Sequence, residues 1–283
     1  MLSAAGTVIL ASCVLGMVGL TLAAVAAVAC RRHGYGPVQS LILAWSYVMT
    51  RVLWRTDVSG RLLVSPGHGA VIVCNHRCPV DPAFIALAAD RMVHWMVARE
   101  YCVHLLTGRF LRACEVIPTN RAGIDTAATK LAMRYAQQGG LVGLLPEGRI
   151  NTTRQTLLPG RPGAAMIALK AQVPVIPCHI SGSPYNGTTL GCLLMPAKVR
   201  LTIGRPIDIS PYYGRENDRE VLELLTRRFL KEIADLGGDV DYQPQLAGRF
   251  YKPGMSGDAV IQASRESANR DPSEETRADR KGI

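Results

Sequence analysis

Residues 1–30 contain no Asp, Glu, Lys, Arg or His, and they restrict the fold more than any other stretch of the 283-residue chain. Val8 to Cys30 reads VILASCVLGMVGLTLAAVAAVAC, 23 residues without a charge, and Arg31, Arg32 and His33 follow at once. A helix of that length crosses a hydrocarbon core of about 30 Å. A cleaved signal peptide is the competing reading, because Ala24-Val25-Ala26 resembles a cleavage site. There is no basic segment ahead of the apolar run, and the run exceeds the usual signal-peptide core of about 7–15 residues, so a retained span is favoured. Positive charge follows the span, which predicts that the remaining chain lies on the cytoplasmic face. The expectation is a single-pass membrane anchor over residues 1–33.

Residues 34–56 form a second segment. Val38, Leu41, Ile42, Trp45, Val48, Met49, Val52 and Leu53 recur at helical spacing, and Arg51, Trp54 and Arg55 mark its end. This pattern predicts an amphipathic helix in the membrane interface, with arginines toward phosphate headgroups. A helix packed on the following domain is the alternative.

The formal net charge of +10 belongs to the chain beyond the uncharged N-terminus. Nucleic acid, an anionic membrane and an anionic substrate are the usual reasons for such a charge. No basic-aromatic interleaving points to nucleic acid, and the glycine-lysine loop of a phosphate-binding NTPase is missing. Eight cysteines lie at 13, 30, 74, 78, 102, 114, 178 and 192, several inside apolar runs, which reads as reduced, buried thiols rather than a disulfide framework.

From Gly60 short apolar runs alternate with helical patterns. Strands are expected at 70–74, 114–117, 141–145, 173–180 and 199–203. Helices are expected from Ala83, at Asp125–Gln138 with Ala127, Leu131, Ala132 and Tyr135 on one face, at 164–171 and at 218–236. Strands alternating with helices indicate an α/β domain, placed at residues 57–240. From Lys252 onward the chain carries six acidic and six basic residues and few apolar ones, so residues 241–283 are expected to form a flexible polar tail.

Three features carry chemistry. Asn75-His76-Arg77-Cys78-Pro79-Val80-Asp81 follows the apolar run ending at Cys74. If Pro79 turns the chain, the Asp81 carboxylate returns to the His76 imidazole, sets its tautomer and leaves the other ring nitrogen free to take a proton. A satisfied structural histidine is the plain alternative. Leu145-Pro146-Glu147-Gly148-Arg149 ends another apolar run; it is either a simple turn or a loop whose N–H groups and Arg149 face an anion. Arg121, after Ile117-Pro118-Thr119-Asn120, could hold a phosphate bidentately or lie idle on the surface.

In this order the three features resemble the 1-acylglycerol-3-phosphate acyltransferase family, over roughly residues 60–210. Its Asn-His-x-x-x-x-Asp block is matched by Asn75, His76 and Asp81, and its strand ending in Arg by Arg121. Its apolar-Pro-apolar-apolar-Pro strand is matched by Val173 to Pro177. Its Phe-Pro-Glu-Gly-Thr-Arg-Ser block reads Leu-Pro-Glu-Gly-Arg-Ile-Asn here, with Arg149 in place of the Thr and Ile150 in place of the Arg. Pro118-Thr119-Asn120 also departs from the family's more common Ile-Asp pair.

The resemblance implies an acyltransferase-type mixed sheet flanked by helices, after an N-terminal transmembrane helix. It implies transfer of an acyl group from acyl-CoA or acyl-carrier protein to a lysophospholipid hydroxyl, 1-acylglycerol-3-phosphate by default, with His76 as general base and Asp81 orienting it. Asn75, Arg121, Glu147, Gly148 and Arg149 would bind substrate. No metal, cofactor or nucleic acid is implied, membrane lipid is the implied partner, and oligomeric state is open. A different lysolipid, or a catalytically inactive membrane adaptor that keeps the fold, are alternatives. Cys74-x-His76-x-Cys78 raises a metal site as a further rival, but it lacks the paired spacing of structural zinc sites.

Overall fold

The computed structural model describes residues 4–33, 35–89, 91–105, 107–120, 125–247, 259 and 262, with the side chains of 4–11, 14, 15, 29, 32, 33, 189 and 190 left outside the description. Seven strands form one mixed sheet in the order β1-β7-β6-β2-β5-β3-β4. They are β1 (Asp57–Ser59), β2 (Ala70–Cys74), β3 (Val93–Ala98), β4 (Ile117–Thr119), β5 (Leu141–Leu144), β6 (Val175–Ser181) and β7 (Arg200–Ile203). β2 pairs in parallel with both β5 and β6, β3 in parallel with β5 and β4, and only β6 and β7 pair antiparallel. The carboxyl ends of β2, β3, β5 and β6 therefore lie along one edge, where side chains after the strand ends converge.

Side-chain alternation gives each face of the sheet its own core. Val71 and Val73 of β2 face one cluster, with Ala132, Ile167, Leu225 and Phe229. Ala70, Ile72 and Cys74 face the other, with Trp54, Phe84 and Ile85. The first face is covered by α6 (Thr126–Gln137), α7 (Gly163–Ala171) and α9 (Arg219–Leu236). On the second face α3 (Asp81–Ala88) supplies Phe84, whose ring meets that of Trp54 edge-on at 5.3 Å. β5 contains Gly143 because the indole of Trp95 lies against it; an added Cβ would sit 2.5 Å from that ring.

Local signals account for the helix ends. The Asp125 side chain accepts from Ala128 N at the start of α6, and Asp218 accepts from Glu220 N and Val221 N at the start of α9. The buried face of α6 is Ala128, Ala132 and Ala136; of the expected face, Ala132 is buried and Leu131 and Tyr135 pack half-buried against the core, while Ala127 is exposed. The strand expected at 114–117 begins only at Ile117. Cys114 instead closes α5 (Gly108–Ala113), and Glu115 turns the chain with φ +50°. α4 (Arg99–Val103) and α8 (Thr189–Leu194) complete the helices.

At the N-terminus, α1 (Ala4–His33) is one continuous helix and packs on α2 (Pro37–Val48), which passes into a π-helical turn at Met49–Leu53. Among the described residues no helix is long and apolar enough to cross a membrane. The expected span from Val8 to Cys30 lies within α1, and part of it falls on side chains outside the description. What the described part presents is exposed apolar surface, with Met17 61% and Leu20 74% exposed. α2 both packs, through buried Ser40 and Ala44, and exposes Val38 and Leu41, so the interfacial and the packed readings each describe one of its sides.

All eight cysteines are free, and Cys74, Cys78, Cys102, Cys178 and Cys192 are buried. Between 241 and 247 the chain lies back on the domain, where Gly160 N donates to Gln245 O and Ala247 N to Gly160 O, both at 2.9 Å. From 248 onward the expected tail lies outside the described residues, Ala259 and Gln262 excepted.

Candidate active site

β2 delivers Asn75 and His76 to the carboxyl edge of the sheet. Asn75 is fully buried, donates through Nδ2 to Ile180 O at 2.8 Å and accepts from Ile180 N at 2.7 Å. Its amide thus continues the β2–β6 pairing past the last ladder residue. Expected to bind substrate, Asn75 instead has both ends of its side chain occupied inside the protein.

His76 and Asp81 meet as the motif requires. Cys78 O accepts from Asp81 N at 3.2 Å, closing the turn through Pro79, and α3 starts at Asp81. His76 Nδ1 lies 3.0 Å from Asp81 Oδ2. An ionised carboxylate only accepts, so Nδ1 carries the proton and Nε2 keeps a lone pair. The same Oδ2 accepts from Arg77 N at 2.6 Å and Cys78 N at 2.8 Å, while Oδ1 accepts from Ser183 Oγ at 2.8 Å. Asp81 is fully buried, whereas 16% of the His76 side chain is exposed. Four donors fix the carboxylate, and the imidazole is partly open to solvent.

Glu147 stands behind the histidine. Its two carboxylate oxygens accept from His76 N and Leu158 N, each at 2.7 Å, and it is fully buried. Burial pushes its carboxyl up to about 8, while the two backbone N–H groups and the Arg77 charge pull it down. Glu147 therefore anchors the His76 turn to the loop after β5, with both carboxylate oxygens held inside the protein. Gly148 takes φ +66° in that turn, and Arg149, half-buried, follows it. Arg121 lies outside the described residues.

Two contributors gave no signal in the sequence. The Arg77 guanidinium donates to four carbonyls, Asn151 and Thr153 at 3.1 and 2.9 Å, Gln155 and Thr156 at 2.6 and 3.2 Å. It closes the loop whose Asn151 N donates to His76 O at 2.7 Å. Ser183 reaches Asp81 across a separation of 102 residues, which only the β2–β6 pairing makes short. Beside them opens a cleft of about 340 Å³ lined by Arg77, Asn151, Thr153, His179, Ser183 and Tyr185. Burial, then the Arg77 charge, hold His179 below the ordinary imidazole range.

The metal reading finds no support in this arrangement. Among the described residues no group of three or more His, Cys, Asp or Glu could hold a metal ion. Cys74 and Cys78 are buried, and burial pushes both thiols well above the usual thiol range. The arrangement can instead hold a proton acceptor at Nε2 of a partly exposed imidazole, backed by a buried carboxylate, with a cleft opening beside the neighbouring Arg77 and Ser183.

Residues 55–181 match the family described as Acyltransferase, a stretch running from the end of the π-helical turn through β6 and including His76, Asp81 and Glu147. The 1-acyl-sn-glycerol-3-phosphate acyltransferase of Bacillus subtilis is 25% identical over 174 residues, 61% of this chain and 83% of that one. The human 1-acyl-sn-glycerol-3-phosphate acyltransferase beta is 30% identical over 176 residues, 59% of this chain and 63% of that one. The crystal structure of the 1-acyl-sn-glycerophosphate (LPA) acyltransferase PlsC from Thermotoga maritima shares the fold, with a TM-score of 0.52 at 20% identity, over 69% of this chain and 80% of that one. With the His76–Asp81 pair at the carboxyl edge of a sheet of this fold, and with these relatives in sequence, the chain is an acyltransferase similar to the 1-acyl-sn-glycerol-3-phosphate acyltransferases.

Proposed function

We propose that the protein transfers a fatty acyl group from the thioester of acyl-CoA or acyl-carrier protein to the free hydroxyl of 1-acylglycerol-3-phosphate, giving phosphatidic acid for phospholipid synthesis. The observation that carries this reading is the His76–Asp81 pair, with Nδ1 held at 3.0 Å and Nε2 left open. Nε2 takes the proton of the acceptor hydroxyl as its oxygen attacks the thioester carbonyl. The resulting imidazolium is stabilised by buried Asp81. When the tetrahedral intermediate collapses the C–S bond breaks, and the thiolate leaves with the proton from Nε2. No acyl-enzyme is needed. Arg149, next to the Glu147 turn, and Arg121 are the cations proposed for the phosphate of the acceptor.

The same reading puts the protein on a membrane. Its support is the exposed apolar surface of α1 and the uncharged sequence before Arg31. The basic cluster Arg31-Arg32-His33 then favours the cytoplasmic face. The test is acyl transfer from labelled acyl-CoA and acyl-carrier protein to a panel of lysophospholipids, with wild type and His76→Ala. A phosphatidic acid product that depends on His76 supports the assignment. Acylation of another lysolipid in preference replaces the acceptor, and full activity of folded His76→Ala removes the mechanism.

A further inference from the structure

The active-site mechanism leaves one surface unused. After β3 ends at Ala98, α4 and α5 form a short ridge whose large apolar side chains face outward: Tyr101 is 51%, Val103 75%, Leu105 85% and Phe110 45% exposed. Arg99, Arg109 and Arg112, on the same ridge, are exposed as well, against one exposed carboxylate, Glu100. Apolar side chains bordered by arginine on short helical turns have the composition of an element that lies in a lipid headgroup boundary.

Its place in the fold fits the same partner. β3 is parallel to β5 and β5 to β2, so the ridge starts on the edge that carries His76. Two strand spacings, about 10 Å, separate β3 from β2. At a similar offset on the opposite side, Arg55, Lys198 and Arg200 line a second cleft of about 340 Å³ at the start of β7.

The helical hairpin points the same way. Gln39, near the start of α2, bonds Glu115 just before β4, at the amino edge of the sheet. Asp57, after the π-helical turn, pairs with Arg200 at the carboxyl edge. A three-residue connection makes α1 antiparallel to α2, and α1 has 30 residues against 17 in α2 and its π-turn, 12 and 5. In that arrangement the N-terminal part of α1 would reach about 20 Å beyond the end of α2 and its π-turn, on the side of the carboxyl edge.

We infer that the α4–α5 ridge is a second lipid contact, in which Val103 and Leu105 enter the surface of an anionic bilayer beside the mouth of the active site. Arg99 and Arg109 face the headgroups, and the basic cluster on the other flank does the same. The enzyme then sits with the His76 edge down on the lipid, so a membrane-borne acceptor reaches Nε2 without leaving the bilayer surface. The inference rests on the membrane reading above and adds which face meets the lipid.

The test uses the full chain in vesicles of phosphatidylcholine and phosphatidylglycerol carrying acyl-chain-brominated lipid. Leu105→Trp adds an emission that bromine quenches, whereas His68→Trp, on the exposed turn before β2 at the amino edge, adds one that is not quenched. Equal quenching of both, or of neither, overturns the inference. In a second arm Val103→Glu/Leu105→Glu lowers transfer to a vesicle-borne acceptor at least tenfold and leaves transfer to a short-chain monomeric acceptor within twofold. Equal loss on both acceptors, or none on either, overturns it. If wild type acylates neither acceptor the proposed reaction fails, and the quenching arm still decides where the lipid lies.

Discussion

Asp81→Asn isolates the charge of the buried carboxylate from its geometry. An asparagine oxygen in the place of Oδ2 still accepts from His76 Nδ1, Arg77 N and Cys78 N, and the Ser183 hydroxyl can rotate to accept from the new NH2. The tautomer and the turn are retained, and what disappears is the negative charge facing the imidazolium. Two unit charges about 4–5 Å apart, the separation between ring and carboxylate centres for a 3.0 Å contact, interact by about 3–4 kcal/mol at an effective dielectric near 20. Each 1.36 kcal/mol is a factor of ten in rate, so kcat falls about 10²–10³-fold. KM for the acyl donor stays near its wild-type value, because Asp81 is fully buried and touches no substrate. The assay is steady-state transfer with purified protein, alongside thermal unfolding to verify the fold. A kcat within threefold of wild type in a folded protein would falsify imidazolium stabilisation as the role of Asp81.

Ser183→Ala removes the one donor on Asp81 Oδ1; kcat drops about tenfold, as for a lost hydrogen bond to a charged group, KM holds, and Ser183→Thr restores most of the rate in the same kinetics. Arg77→Met leaves four carbonyls of the 151–156 loop without their donor and destabilises the fold by about 2–4 kcal/mol in urea unfolding. Arg77→Lys recovers only part of that loss, since one ammonium cannot span the four acceptors. Glu147, raised from 4.5 to about 8, binds its proton more tightly folded than unfolded. Its contribution to stability is therefore full below about pH 4.5 and is lost as pH rises through about 8. Glu147→Gln is less stable overall because one backbone N–H faces its amide NH2, yet its unfolding free energy declines less between about pH 5 and 8 than that of wild type.

What the sequence made legible was whatever is local. β2, β5 and β6 are continuous apolar runs because they lie inside the sheet, and α9 announces itself through Asp218 and a helical apolar period. The His76–Asp81 pair is readable for the same reason, being closed by one turn. β1 was not readable, since Asp57-Val58-Ser59 is an edge strand with one apolar residue held by pairing to β7. β3 was missed too: its outer half, Met96 to Ala98, is only half-buried, so the apolar run reads weakly. Arg77 occupies a position between the motif residues where any side chain fits the pattern, and its four acceptors lie more than 70 residues on. Glu147 was found by its motif but assigned to the substrate side; only coordinates reveal that both its oxygens face backbone N–H groups.

These contacts have a common consequence for how such a site tolerates change. The bonds that set the dyad are also bonds that hold the sheet's carboxyl edge together: Asp81 joins the β2 turn to the segment after β6, Glu147 joins it to the loop after β5, and Arg77 closes that loop. Truncating any of them to alanine therefore mixes a loss of rate with a loss of stability. His76 is the exception, because its side chain makes a single hydrogen bond, to Asp81, and is partly open to solvent. Its backbone, not its ring, carries the links to Glu147 and Asn151. Alanine at position 76 keeps those backbone bonds and removes only the imidazole, so it separates chemistry from folding more cleanly than a change at Asp81, Glu147 or Arg77. A fold built this way can lose its chemistry without losing its shape, and the inactive adaptor weighed from the sequence is what a chain of this fold lacking that one ring would be.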